Sequence, residues 1–200
     1  MRSTSSADIC IVGAGMVGMS VAHQILERCD SLSIVIIDKE PDVGKHGSGR
    51  NSGVLHAGLY YQPESLKAKV CVSGAKRLKQ WCYSNNISVM ECGKVVTPQK
   101  PELDGQLEVL LERGRSNGAT VEIIDEQQFN ELVPGGRTST GRAIWSEDTC
   151  VVKPSEVVQK LKQELQKRGV TFLFFKKDWQ VEAGLKTIIF NDNARLTYNH

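Results

Sequence analysis

No stretch of this sequence approaches the roughly 18 consecutive apolar residues that a membrane-crossing helix needs. Runs such as Ile9–Val12 and Ile34–Ile37 stop after four residues. Neither sign of charge is in excess, with 25 Lys and Arg against 23 Asp and Glu and a net charge of +2. That balance argues against a broad electrostatic surface for nucleic acid. The six cysteines, at positions 10, 29, 71, 82, 92 and 150, include no CxxC pair. Reduced thiols in a reducing intracellular compartment are therefore expected, with neither a disulfide framework nor a metal site. The first seven residues are polar and lead straight into an apolar run, and Arg2 stands alone among them, so neither a signal peptide nor a transit peptide is expected. Internal repeats and low-complexity segments are also missing. What remains is 200 residues of mixed composition, enough for one ordinary domain or two small ones with a real core.

The most informative stretch runs from Asp8 to Asp38. Ile9-Cys10-Ile11-Val12 breaks into Gly13-Ala14-Gly15-Met16-Val17-Gly18, and a helical pattern with Val17, Val21, Ile25 and Leu26 apolar follows. A second apolar run, Ile34–Ile37, ends on Asp38. This order predicts strand, tight turn, helix and strand, one βαβ unit with GxGxxG at its first turn. Gly13 permits the turn, Gly15 lets the backbone approach a pyrophosphate, and Gly18 lets the helix sit close to the strand. The helix N-terminus adds unpaired N–H groups and a partial positive charge. Asp38 lies 38 − 18 = 20 residues past the last glycine, where a carboxylate accepts ribose hydroxyls. It would repel a 2′-phosphate, so the expected dinucleotide is FAD or NAD and not NADP.

Beyond Asp38 comes a glycine-rich polar loop, residues 39–53, of a length that is usually functional inside a compact domain. Ser48, Arg50, Asn51 and Ser52 supply donors there. Residues 54–61 are apolar with one imidazole, His56. The spacing of Leu66, Val70, Gly74, Leu78, Trp81 and Cys82 predicts a helix over 64–85 with that stripe inward. Residues 88–98 read as an extended segment broken at Gly93. A helix over 101–117, a strand at Val121–Ile124 and a short helix at 126–132 follow, and residues 135–149 read as a loop anchored by Trp145. Pro154 opens a helix with Val157, Val158, Leu161 and Leu165 buried, ended by Gly169. Val170–Phe175 reads as a strand, and Lys186–Asn191 and Arg195–Tyr198 as an antiparallel pair.

Gly13–Gly18, Asp38-Lys39-Glu40 and above all the run from Arg50 to Tyr61 (RNSGVLHAGLYY) resemble the L-2-hydroxyglutarate dehydrogenase/oxidase family, within the D-amino-acid-oxidase-like group of FAD enzymes. The similarity continues through residues 63–69 and Cys92-Gly93-Lys94. The resemblance implies an α/β protein, with a Rossmann-like FAD-binding domain of parallel sheet plus antiparallel meander and part of an α+β substrate domain. The corresponding boundaries are 1–87 with 151–200 for the first and 88–150 for the second. It implies FAD on Gly13, Gly15, Gly18, Asp38, Lys39, Ser48, Arg50, Asn51 and Ser52, with His56 near the isoalloxazine. The implied partners are a small 2-hydroxy acid, most simply L-2-hydroxyglutarate, and an electron acceptor, oxygen or a quinone chain. The implied compartment is mitochondrial in a eukaryote, or otherwise cytoplasmic. Glycerol 3-phosphate or amino-acid oxidation and a non-catalytic dinucleotide-binding module are the alternatives. The chain stops where the family's next strand is due, so the carboxylate ligands are expected beyond residue 200 and the chain is expected to be catalytically incomplete.

Overall fold

A computed structural model describes residues 4–200, so Arg2 lies outside the described residues. In chain order the elements are β1 (Thr4–Ala7), β2 (Ile9–Val12), α1 (Met16–Arg28), β3 (Ile34–Ile37), β4 (Val54–Leu55), α2 (Leu66–Ser84), β5 (Val89–Met90), β6 (Lys94–Val96) and α3 (Gln106–Ser116). Then come β7 (Val121–Asp125), α4 (Glu126–Leu132), β8 (Arg142–Ser146), β9 (Cys150–Val152), α5 (Pro154–Lys167), β10 (Thr171–Leu173), β11 (Trp179–Glu182), β12 (Thr187–Phe190) and β13 (Arg195–Tyr198). By their contacts they form two units, residues 1–51 with 154–200, and residues 52–153. Residues 52–87, grouped with the FAD-binding segment on sequence grounds, make their contacts in the second unit.

The first unit is the mixed α/β architecture expected. β10, β3 and β2 form a parallel sheet in that order, with Val35 opposite both Cys10 and Thr171. β3 is the central strand and all four of its residues are buried. That explains an unbroken apolar run where a half-exposed strand would alternate. Val35 and Ile37 face a second sheet, ordered β1-β13-β12-β11, and share a core with Ala7, Ile188, Phe190 and Leu196. β12 and β13 pair antiparallel as expected, and two further strands flank them. β1 pairs parallel with β13. Its TSSA sequence hides it, because it is an edge strand whose Ser5 and Ser6 are exposed and whose Ala7 joins the core. β11 contains Trp179 and lies in a segment where the sequence predicts no strand.

Two helix faces differ from the spacing argument. On α1 the buried residues are Met19, Ala22 and Leu26, while Val17 is 79% exposed and Val21 45%. Gly18 sets that rotation, because a Cβ there would stand 3.2 Å from Ile11 Cγ2 of β2 and 2.1 Å from the Gly13 carbonyl oxygen. The small face goes inward because the helix lies so close. On α2 Leu66 and Val70 are exposed, and Ala68 and Cys82 are buried. Here too a close approach decides, since Gly58 leaves room for Val72 that a Cβ at 2.7 Å would fill. On α5, by contrast, Val157, Val158, Leu161 and Leu165 are all buried as the periodicity requires.

The second unit holds two antiparallel sheets, β4-β9-β5 and β6-β8-β7. β8 corrects the loop reading of residues 135–149. It is a central strand, with Ala143 and Ile144 fully buried, preceded by a polar turn-rich segment that conceals it. β9 likewise is a central strand between β4 and β5. Leu59, Leu107, Ala119, Val121 and Ile144 make one core, and Ile124, Phe129 and Ala143 a second.

The loop after β3 is fastened to its own unit. The Asp42 carboxylate accepts from Lys162 Nζ and Gln159 Nε2, both at 2.7 Å on α5. Burial pushes the Asp42 pKa up, but the Lys162 ammonium, the Val43 amide and Gln159 overcome it, so the net direction is down. A carboxylate with a lowered folded-state pKa stabilises above its unfolded value, near 3.9, and that contribution is lost as pH falls through the folded value. The Asp42 side chain is 27% exposed, and about 1 kcal/mol is a reasonable contribution. Asp42→Asn is expected to lower the unfolding free energy measured by urea titration at neutral pH by that amount, with the gap to wild type closing below about pH 4. A gap independent of pH would show that the charge of Asp42 contributes nothing.

Candidate cofactor and active site

Between β2 and α1 the backbone turns through Gly13, whose φ of +105° is readily adopted only by glycine. The Gly13 amide donates to Ile37 O at 2.8 Å and ties the turn to the end of β3. Gly15 is the N-cap of α1 in extended conformation, with no side chain to cap the helix. A Cβ on Gly15 would stand 3.0 Å from Ser48 Oγ, so the space above the helix start is shaped by the missing side chain. Ser48 Oγ accepts from the Met16 amide at 2.9 Å, which lays the loop of residues 39–53 over that helix start. Gly44 N donates to Ala14 O at 3.2 Å, and a Cβ on Gly49 would lie 2.3 Å from Gly44 O. The loop's glycines thus serve a tight fold of the loop upon itself.

Asp38 sits at the end of β3, but its carboxylate is already engaged. Oδ2 accepts from the Ala14 amide at 2.6 Å and Oδ1 from the Glu40 amide at 2.9 Å. A carboxylate has about four lone-pair sites, so two remain for a ribose hydroxyl or water. Asn51 Nδ2 donates to Gly47 O at 2.9 Å and Ser48 O at 3.1 Å, which makes it a tie within the loop. Lys39 and Arg50 are exposed. The structure therefore brings together Gly13, Gly15, Gly18, Asp38, Ser48 and Asn51 in the first unit, while Ser52 and His56 belong to the second. The amide of Met16 and the Gly44–Gly49 approach are participants that residue types alone do not disclose.

These features fit a dinucleotide. A cradle that a Cβ would narrow, a helix N-terminus whose N-cap residue has no side chain, a serine hydroxyl and a strand-end carboxylate are the groups that a pyrophosphate and a ribose require. Residues 8–187 match the family described as DAO, FAD dependent oxidoreductase. The chain belongs to this family of FAD dependent oxidoreductases. FAD is its cofactor, and the family fold agrees with solved structures. The dithionite-reduced L-alpha-glycerophosphate oxidase of Mycoplasma pneumoniae with FAD bound superposes with a TM-score of 0.82 at 19% identity, covering 98% of this chain and 53% of that one. Glycine oxidase of Geobacillus kaustophilus gives 0.84 at 15% identity, covering 98% and 54%. At such identities the likeness is one of fold.

Among sequence relatives, the mitochondrial L-2-hydroxyglutarate dehydrogenase of Homo sapiens is 40% identical over 172 residues, which is 86% of this chain and 37% of that protein. The protein of the same name from Dictyostelium discoideum is 33% identical over 198 residues, 94% of this chain and 42% of that one. The chain thus spans about two-fifths of the length of these relatives.

In the second unit of this family member, His56 follows β4 and is half-buried. Burial, and then the Lys94 ammonium, hold its pKa below the ordinary histidine value. It lines a cavity of about 200 Å³ with Val72, Lys79, Asp148 and Cys150. The loop that carries it is held firmly, because Asn117 Nδ2 donates to both Gly58 O and Tyr61 O at 2.9 Å. Lys94 Nζ donates to Tyr60 Oη at 2.5 Å and lies 4.3 Å from that ring's centroid. No helix among the described residues is long and apolar enough to cross a membrane.

Proposed function

We infer that the chain belongs to an enzyme that oxidises L-2-hydroxyglutarate to 2-oxoglutarate. The observation that carries this reading is the 40% identity over 172 residues to a protein of that name. The RNSGVLHAGLYY run in this sequence supports it. In this reading the turn at Gly13, Gly15 and Gly18 and the α1 N-terminus hold the pyrophosphate, and Asp38 meets the ribose through its two remaining lone-pair sites. Lys39, Ser48, Arg50, Asn51 and Ser52 complete the cofactor-binding set. When bound, FAD supplies the hydride acceptor. His56 contributes an unprotonated ring nitrogen, Nδ1 or Nε2, that takes the proton of the substrate hydroxyl, and its lowered pKa keeps that nitrogen free at neutral pH. Oxygen or a quinone chain is the proposed electron acceptor, and the mitochondrion, carried in the relatives' names, or the cytoplasm is the proposed compartment.

The test is anaerobic reduction of the bound flavin in the complete enzyme. L-2-hydroxyglutarate is expected to bleach the visible absorbance, and the D enantiomer, glycerol 3-phosphate and amino acids are not. Bleaching by either of the last two in preference to the hydroxy acid would overturn the substrate assignment.

The role of His56 has its own test. His46 serves as the control, because it is exposed and pairs with Glu40 at 2.9 Å. His56→Ala is expected to slow flavin reduction by about 10²-fold or more, the usual contribution of a positioned base. His46→Ala is expected to leave the rate unchanged. In the wild type kcat/KM should fall on the acid side through a value below the ordinary histidine range, and this limb should vanish in His56→Ala. Equal rates for the two variants would return His56 to a packing role.

A further inference from the structure

Lys94 is a half-buried cation at the start of β6 with no acidic partner among the described residues. Its one hydrogen bond goes to a neutral phenol, Tyr60 Oη. Two other lysines of the same unit are matched, Lys79 with Glu91 at 2.6 Å and Lys69 with Glu64 at 2.8 Å, while Lys67, Lys76 and Lys100 are exposed. The Lys94 stem is half-buried while its ammonium meets Tyr60 Oη at an exposed position, so the charge is open to an incoming anion. The geometry supplies the donors for such a group. An ammonium carries three N–H donors and spends one on Tyr60 Oη. Because Tyr60 Oη accepts that bond, its own O–H is left to donate elsewhere. Two ammonium donors and one phenol donor therefore remain around a single point. Tyr60 is 42% exposed, so the point is reachable. It stands four residues from His56, on the loop that Asn117 clamps.

We propose that Lys94 and Tyr60 bind a carboxylate of the substrate beside His56. This rests on the function inferred above and adds the group that recognises the anionic end of the hydroxy acid. The Lys94–Tyr60 contact then fixes the ammonium in advance, so that little side-chain freedom remains to be lost on binding. A purely structural alternative is a clip in which Lys94 only fastens the loop to β6 through its ring contact.

The experiment compares wild type with Lys94→Met, Lys94→Arg and Tyr60→Phe. Binding of 2-oxoglutarate is measured by calorimetry, and KM and kcat by steady-state oxidation of L-2-hydroxyglutarate. For Lys94→Met a rise of about tenfold or more in Kd and KM is expected, the usual cost of a charge-assisted hydrogen bond. Flavin content and thermal midpoint should stay near wild type. Lys94→Arg should recover part of the affinity, because it keeps the charge, and Tyr60→Phe should raise Kd less than Lys94→Met. Unchanged Kd and KM in Lys94→Met, or a fall in thermal midpoint without a change in Kd, would establish the clip and overturn the proposal. If wild type oxidises a different anion, the substrate reading fails separately, and the Lys94 comparison is then decided on that anion's Kd.

Discussion

Gly15→Val is expected to yield a folded protein that no longer retains FAD. The backbone at this position does not object to a side chain, since φ is −86° and ψ 179°, an extended conformation open to any residue. What the substitution removes is room. A Cβ alone would stand 3.0 Å from Ser48 Oγ, and the two γ carbons of valine reach further into the space above the α1 N-terminus. That is where the Met16 amide and Ser48 meet and where a phosphate approaches the backbone most closely. Overfilling a fitted space costs about 1–3 kcal/mol, or roughly fivefold to 150-fold in affinity. The flavin-to-protein ratio after gel filtration should therefore fall below about a tenth of the wild-type value, while far-ultraviolet circular dichroism is unchanged. Gly15→Ala should fall between the two, because the serine hydroxyl has only to yield by a few tenths of an ångström. A valine variant that copurifies with normal flavin would mean that no phosphate sits at this turn.

The neighbouring glycines separate fold from binding in the same turn. At Gly18 an added Cβ would meet the Gly13 carbonyl oxygen at 2.1 Å, and backbone cannot move aside as a hydroxyl does. Gly18 is therefore a requirement of the βαβ packing, and Gly15 one of the ligand.

Much of this unit was legible because its signals are local. Ile34–Ile37 reads as a buried strand, Gly13–Gly18 as a turn and Pro154–Lys167 as an amphipathic helix, and each is found so. Reading failed where a distant element decides. Val17 and Val21 look like the inner face of α1 until β2 comes close enough to require Gly18 and Ala22 there. β1 owes its existence to pairing with β13, nearly two hundred residues away, and no property of Thr4–Ala7 announces it. The 20-residue spacing points to Asp38, but not to the fact that its two oxygens already hold the Ala14 and Glu40 amides. Lys94 and Tyr60 were visible only as parts of two separate similar runs. Their contact spans 34 residues and is a product of tertiary structure.

The largest loss of stability is expected from Gly93→Ala, in the second unit. Gly93 immediately precedes Lys94 and has φ +63°, where an L side chain costs about 1–2 kcal/mol. A Cβ there would fall 1.8 Å from Trp145 Cη2 and within 2.5 Å of Cζ2 and Cζ3, inside the indole ring. The ring is rigid, and Trp145 is held on β8 opposite Val95 on one side and Glu122 on the other. Relief requires the whole ring to leave its place, at about 1–3 kcal/mol for an overfilled core. The two costs together are about 2–5 kcal/mol, against about 5–15 kcal/mol for a typical domain. Urea unfolding followed by tryptophan fluorescence should show a midpoint lowered accordingly. Gly93→Asn separates the two causes, because asparagine tolerates positive φ yet carries the same Cβ, so it should regain much of the backbone cost while keeping the clash with the ring. A double-mutant cycle with Trp145→Ala completes the test. If the ring occupies the space over Gly93, Trp145→Ala costs less in the Gly93→Ala background than in wild type. Strictly additive effects would show that Gly93 is needed for its backbone conformation alone.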